Sequence, residues 1–175
     1  MNQMLQRILR RAAYEIPGGN SLRPALHRLR GVKIGKNVWI SQYVYIDEIH
    51  PEVITIEDNC TIGLKTTIIA HLYWGQRRDS ASAGPVHIEE DVFIGPNCVI
   101  LPNVRIGKGS VIQAGTVVSK NVPPNTLWGP PKAGPIARVT VPLTSHNEVK
   151  SFTRGLKPLV IRNKEVIAGK TAISK

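Results

Sequence analysis

The sequence predicts an all-β chain, a parallel β-helix of about four triangular coils, with helices before it and an extended tail after it. Three observations carry this. From Ile34, steps of six reach Ile40 and Ile46; a step of ten reaches Ile56, then Ile62 and Ile68; a step of twenty reaches Ile88, then Ile94, Ile100, Ile106, Ile112 and Val118. Two residues before each stands a small or β-branched residue: Val32, Val38, Val44, Ile54, Cys60, Thr66, Val86, Val92, Cys98, Val104, Ser110 and Thr116. Both positions point inward, because side chains alternate along a strand. Three residues after the isoleucine come Asn37, Asn59, Asp91, Asn97, Asn103, Gly109, Gly115 and Asn121, residue types that tolerate positive φ at a tight corner. A short strand and a corner every six residues make a prism, three strands to a coil, with coils about 4.8 Å apart. Burying each isoleucine contributes on the order of 1.5 to 3 kcal/mol, so the ladder can carry the fold.

Residues 1–30 read as a helical cap. Over 3–14, Met4, Leu5, Ile8, Leu9 and Ala12 share one helical face and Arg7, Arg10 and Arg11 the other, and Gly18 and Gly19 end the helix. A second helix follows Ser21 with Leu22, Leu26 and Leu29 expected inward. Together they would cover the open strand edge of the prism, or lie as a basic amphipathic surface on anionic lipid. Residues 31–122 form the β-helix. The step of ten inserts four residues near 47–52, and the step of twenty throws 70–85 out as a loop. Residues 123–175 read as a tail, too rich in proline for another full coil, with a helix around 148–154.

Length suits one domain, and 42% hydrophobic residues suffice for a core. No membrane-spanning run and no signal-peptide pattern occur, so a cytoplasmic chain is expected, with the inner face of the membrane as the alternative station. Cys60 and Cys98 fall in inward slots, which argues against a disulfide or a metal site. The net charge of +11 calls for an anionic partner: a nucleic acid, a lipid surface or a phosphorylated ligand. The cations cluster over 7–36 and 132–175 without a nucleic-acid motif or interleaved stacking aromatics, so no nucleic acid is expected.

The repeat, its loop, and the segment IGPNCVILPNVRIGKGSVIQAGTVVSKNVPPN resemble the hexapeptide-repeat (left-handed β-helix) acyltransferases over roughly residues 30–140. The stretches PIARVTVPL and FTRGLKPL look like the branch that O-acetylates sugars and polysaccharides. The resemblance implies the left-handed sense, a homotrimer, and an acyl group passed from acetyl-CoA to a sugar hydroxyl. It assigns the general base to the position matched by His71, three residues after Ile68 at the base of the loop. That placement suits an imidazole, whose ordinary pKa near 6.5 lets it accept a hydroxyl proton at neutral pH. Gly95, Pro96, Ala114 and Gly115 are assigned to the pantetheine arm, and Ser119 and Lys120 to the adenine and phosphate end. The family reads Gly-x-Pro-Ala-Lys after the last coil; here Gly129-Pro130-Pro131-Lys132-Ala133 departs from it, leaving Lys132 and Arg138 as phosphate candidates.

Asp47, Glu48, His87, Tyr73 and Trp74 are candidates for the acceptor site; a carboxylate at 47 or 48 could orient the acceptor or His71, with a charged exposed loop as the plainer reading of 47–52 and its His50. His27 and His146 read as structural. No metal is expected, since no closely spaced histidine pair of the carbonic-anhydrase kind occurs on the repeat. An amino-sugar N-acetyltransferase and a non-catalytic scaffold are the competing functions.

Overall fold

The computed structural model describes residues 3–71, 83–130, 137–141 and 149–158. Helices α1 (Gln3–Glu15) and α2 (Leu22–Leu29) precede four coils of three strands. The first holds β1 (Lys33–Ile34), β2 (Trp39–Ile40) and β3 (Tyr45–Ile46), and the second β4 (Ile54–Ile56), β5 (Thr61–Ile62) and β6 (Thr67–Ile68). The third holds β7 (Val86–Ile88), β8 (Phe93–Ile94) and β9 (Val99–Ile100), and the fourth β10 (Val104–Ile106), β11 (Val111–Ile112) and β12 (Val117–Val118). Each strand stacks in parallel on its counterpart, so three sheets close the prism: β1-β4-β7-β10, β2-β5-β8-β11 and β3-β6-β9-β12. Ile34, Ile56, Ile88 and Ile106 lie in register across the first sheet. Eleven of the twelve repeat positions, Ile40 through Val118, are at most 1% exposed; Ile34, at the open end, is partly buried. All twelve residues two positions earlier are buried too. Cys60 and Cys98 are free thiols inside this column, donating to the carbonyls of Glu89 and Gln113.

Corner geometry follows the same period. Asn37, Asn59, Asp91, Asn97, Asn103, Gly109 and Gly115 have positive φ, as do Tyr43 and Lys65 at equivalent corners. Asn121 does not belong to this set; its side-chain oxygen instead accepts the backbone N–H of Arg105. Past 122, where no further full coil is expected, some pairing continues. Val122 bridges in parallel to Ile106, Asn125 turns with positive φ, and β13 (Leu127–Trp128) extends the second sheet beyond β11. Pro123 and Pro124 are tolerated because they form the corner between these pairings, where the ladder asks for no donor. Their carbonyls accept the hydroxyls of Ser110 and Thr126.

The two helices cover the open end, but not with the faces expected. Leu22 and Leu29 of α2 are exposed, and the buried positions are Arg23, Pro24 and His27, followed by Arg30. In the first coil the N–H groups of Gly35, Ser41 and Asp47 are spent on carbonyls of the second coil. The carbonyls of Ile34, Ile40 and Ile46 therefore face outward with no coil to donate to them. Arginines supply the donors, one to each sheet: Arg28 Nε to Ile34 at 3.0 Å, Arg23 Nε to Ile40 at 2.7 Å and Arg30 Nη2 to Ile46 at 3.0 Å. A leucine cap would have left the two buried peptide oxygens, those of Ile40 and Ile46, unpaired at about 1–3 kcal/mol each. Arg30 also donates to His27 Nδ1 at 2.8 Å. Burial, and then the positive Arg30, push the His27 pKa down to about 3, so it stays neutral. On α1 the apolar face is likewise turned outward: Met4, Leu5 and Ile8 are exposed while Ala13 is buried.

The chain divides into two compact units, 1–131 and 132–175. In the second, β14 (Ala137–Val139) pairs antiparallel with β15 (Leu156–Pro158), joined through α3 (Val149–Arg154), so the expected tail carries a small strand–helix–strand element.

Candidate active site

The step of ten between Ile46 and Ile56 widens the turn after β3 into an insertion with a short 3-10 turn over Pro51–Val53. Asp47, the first residue of that insertion, has no solvent exposure. Its Oδ1 accepts the N–H groups of Ile49 at 2.7 Å and His50 at 3.1 Å, and its Oδ2 that of Ala70 at 2.8 Å. One coil further, at the same prism edge, His71 brings Nδ1 to 2.5 Å from Asp47 Oδ2. The charged exposed loop anticipated for 47–52 is thus corrected in part: Asp47, His50 and Pro51 are buried, while Glu48 is partly buried and Glu52 exposed. Burial pushes the Asp47 pKa up, but the N–H bonds from Ala70 and Ile49, the His71 ring and the His50 N–H outweigh it and hold the carboxyl below its ordinary value. An ionised Asp47 accepts only, so it selects the tautomer of a neutral His71 ring that carries its proton on Nδ1. Asp47 is therefore a residue that orients His71, which composition and spacing alone did not separate from an acceptor contact.

His71 is not a positive-φ corner of the usual kind. It forms an antiparallel bridge to Ala83, closing the base of the loop, with its side chain 13% exposed. Glu48 pairs with Arg10 of α1 at 3.0 Å. His87 stands on the outer surface of the first sheet between Thr55 and Arg105, its Nε2 2.6 Å from Glu57 Oε1. It belongs to a surface network of Glu57, Glu89 and Arg105, unlike the buried Asp47–His71 pair. Tyr73 and Trp74 of the loop, His146, and Lys132 lie outside the described residues; Arg138 is in β14.

The remaining candidates flank the third sheet. Ser119 and Lys120 follow β12 and are exposed on the same edge as His71, two coils or about 10 Å along the axis. Gly95, Pro96, Ala114 and Gly115 follow β8 and β11 on the neighbouring edge. Gly95 has a packing reason to be glycine, since a Cβ there would lie 2.7 Å from the Ala114 nitrogen of the next coil. Gly115 differs: its φ is +72° and a Cβ would meet nothing within 4 Å, so its backbone is open to solvent. Among the described residues no group of three or more His, Cys, Asp or Glu could hold a metal ion.

Residues 85–120 match the bacterial transferase hexapeptide family (six repeats), and residues 53–70 match the hexapeptide repeat of succinyl-transferase. A Bacillus subtilis (strain 168) protein, provisionally named an acetyltransferase, is 41% identical over 98 residues, which are 56% of this chain and 55% of that protein. The 2,3,4,5-tetrahydropyridine-2,6-dicarboxylate N-acetyltransferase of Staphylococcus aureus (strain bovine RF122 / ET3-1) is 54% identical over 46 residues, 26% of this chain and 19% of that enzyme. The chain thus matches about half the length, or less, of these curated relatives. The crystal structure of a hexapeptide-repeat acetyltransferase of Vibrio cholerae O1 biovar eltor, complexed with acetyl-CoA, superposes with a TM-score of 0.58 at 28% identity, covering 73% of this chain and 81% of that one. The fold is the left-handed parallel β-helix, and the chain carries the hexapeptide repeat of bacterial transferases over residues 53–70 and 85–120.

Proposed function

We propose that the protein transfers an acetyl group from acetyl-CoA to a hydroxyl of a sugar or polysaccharide precursor, with His71 as general base. The observation that carries this is the buried Asp47 held 2.5 Å from His71 on the repeat core. In the proposed step, Nε2 of His71 takes the hydroxyl proton as the acceptor oxygen attacks the thioester carbonyl. The C–S bond then breaks, and the coenzyme A thiolate leaves and receives that proton. Asp47 stabilises the imidazolium in between. No acyl-enzyme is invoked: Cys60 and Cys98 are buried, and burial pushes the Cys60 thiol up to about 11.

The acetyl-CoA arm is proposed to run along the third sheet between its two edges, past the open backbone of Gly115 toward Ser119 and Lys120. Pro96, Ala114, Gly115, Ser119 and Lys120 are all exposed. A neighbouring copy would supply the second wall, which supports a homotrimer. Leu127, Val111 and Phe93 form an exposed apolar run down the second sheet, separated by Thr61 from the exposed Trp39, and such an assembly would cover it. Light scattering should give a trimer; a monomer at working concentration would remove the shared groove. The use of acetyl-CoA also supports a cytoplasmic site of action.

A second reading, N-acetylation, is favoured by the 54% identity to an N-acetyltransferase. Thiol release from acetyl-CoA across a panel of sugars and amino sugars, with product mass and alkali lability measured, separates an ester from an amide. No thiol release with any acceptor, together with no acetyl-CoA binding, would leave a non-catalytic scaffold.

A further inference from the structure

Helix α1 grips the prism with one side and carries an exposed apolar and cationic side. On the gripping side, Gln6 Nε2 donates to the Arg30 carbonyl at 3.0 Å, Arg10 pairs with Glu48 at 3.0 Å and lies over the Tyr45 ring, and Ala13 is buried. On the outer side Met4 is 70% exposed, Leu5 45% and Ile8 57%, alongside the exposed Arg7 and Arg11. At 100° per residue, Arg7, Arg11, Met4, Ile8 and Leu5 fall in that order across about 160° of the helix surface. Glu15, paired with Arg11 at 2.9 Å, is the single acid on this arc among the described residues.

We propose that this arc is the docking surface for an anionic lipid bilayer, with α1 lying in the plane of the headgroups. The physical case is the pairing of functions on one face. Leu5 and Ile8 project apolar surface to the depth of the headgroup–acyl boundary, while Arg7 and Arg11 at its margin meet lipid phosphates. A second copy of the chain is the poorer occupant, because a self-paired arc would oppose arginine pairs with only Glu15 to answer them. The gripping side ties this surface to the site: Arg30, held by Gln6 of α1, donates through Nη2 to the Asp47 carbonyl at 2.6 Å. Docking would hold the Asp47–His71 edge near the bilayer.

The test is sedimentation of the full chain with phosphatidylcholine vesicles and with vesicles containing phosphatidylglycerol as well. The anionic vesicles should capture the protein, and raising salt from about 0.05 to 0.5 M should weaken capture several-fold. Leu5→Glu/Ile8→Glu, both at exposed positions, should retain the parent thermal midpoint yet lose more than about tenfold in partitioning. Arg7→Gln/Arg11→Gln should keep residual binding but lose most of the salt dependence. Undiminished capture of Leu5→Glu/Ile8→Glu would overturn the proposal. So would a change in assembly size for that variant by light scattering, which would assign the arc to protein contacts.

Discussion

His71 and Asp47 lie 24 residues apart in the chain yet one coil apart in the prism, and their side chains meet at 2.5 Å. The register of the β-helix makes that contact, because the residue after β3 and the residues after β6 share an edge. An amide at position 47 could keep the two N–H bonds to Oδ1, from Ile49 and His50, but would no longer compel the Nδ1–H tautomer. Asp47→Asn is therefore expected to lower kcat by roughly 10² to 10⁴ while leaving KM for acetyl-CoA within a few-fold. Steady-state kinetics check this, and a kcat near the parent's would separate Asp47 from the reaction.

The ladder makes a sharper structural claim. Ile94 is fully buried, stacked between Ile62 and Ile112. Ile94→Val should cost about 0.5 to 1.5 kcal/mol, whereas Ile94→Asp should abolish cooperative unfolding by placing an unpaired charge in the prism. Calorimetry decides it, and a parent-like midpoint for Ile94→Asp would refute the register.

At the open end, Arg30→Met would leave the carbonyls of Ile46 and Asp47 without their donor. A loss of about 2–4 kcal/mol in denaturant unfolding is expected, because those oxygens stay covered. A loss under about 1 kcal/mol would mean that water reaches them.

The neutral His27 gives stability a pH dependence of definite sign. Its folded pKa, lowered to about 3, lies below the ordinary 6.5. The unfolded chain therefore binds the proton first as pH falls. Stability is full above about pH 6.5 and declines toward pH 3, with a slope from this group of up to about 1.4 kcal/mol per pH unit. His27→Gln, which keeps an acceptor for Arg30, should flatten that slope. Denaturant midpoints at several pH values between 4 and 7 measure it, and identical slopes for the two proteins would contradict the assignment.

The prism was legible in the sequence because a six-residue period repeats the same two inward positions at every turn, and its boundaries follow wherever the period breaks. His71 was legible as the residue at the base of the largest break. The end of the prism was not. Apolar positions on α1 and α2 suggested a greasy plug, but the edge of a parallel sheet exposes carbonyls as well as N–H groups, and donors such as Arg23, Arg28 and Arg30 satisfy those carbonyls where leucines cannot. Asp47 was hidden for a related reason: a carboxylate at the start of an insertion looks solvated until the following N–H groups and the histidine one coil later are seen to fold over it. Pro123 and Pro124 read as a terminator because proline breaks ladders, although at a corner it breaks nothing.

The central claim is that His71 removes the acceptor proton. His71→Ala should lower kcat by roughly 10² to 10⁴ with the measured acceptor, the range a positioned general base supplies. Its affinity for acetyl-CoA, measured by calorimetric titration, should match the parent's, and His87→Ala should remain near parent activity. A His71→Ala protein that keeps more than about a tenth of parent kcat, or a His87→Ala protein that is the inactive one, would contradict the account.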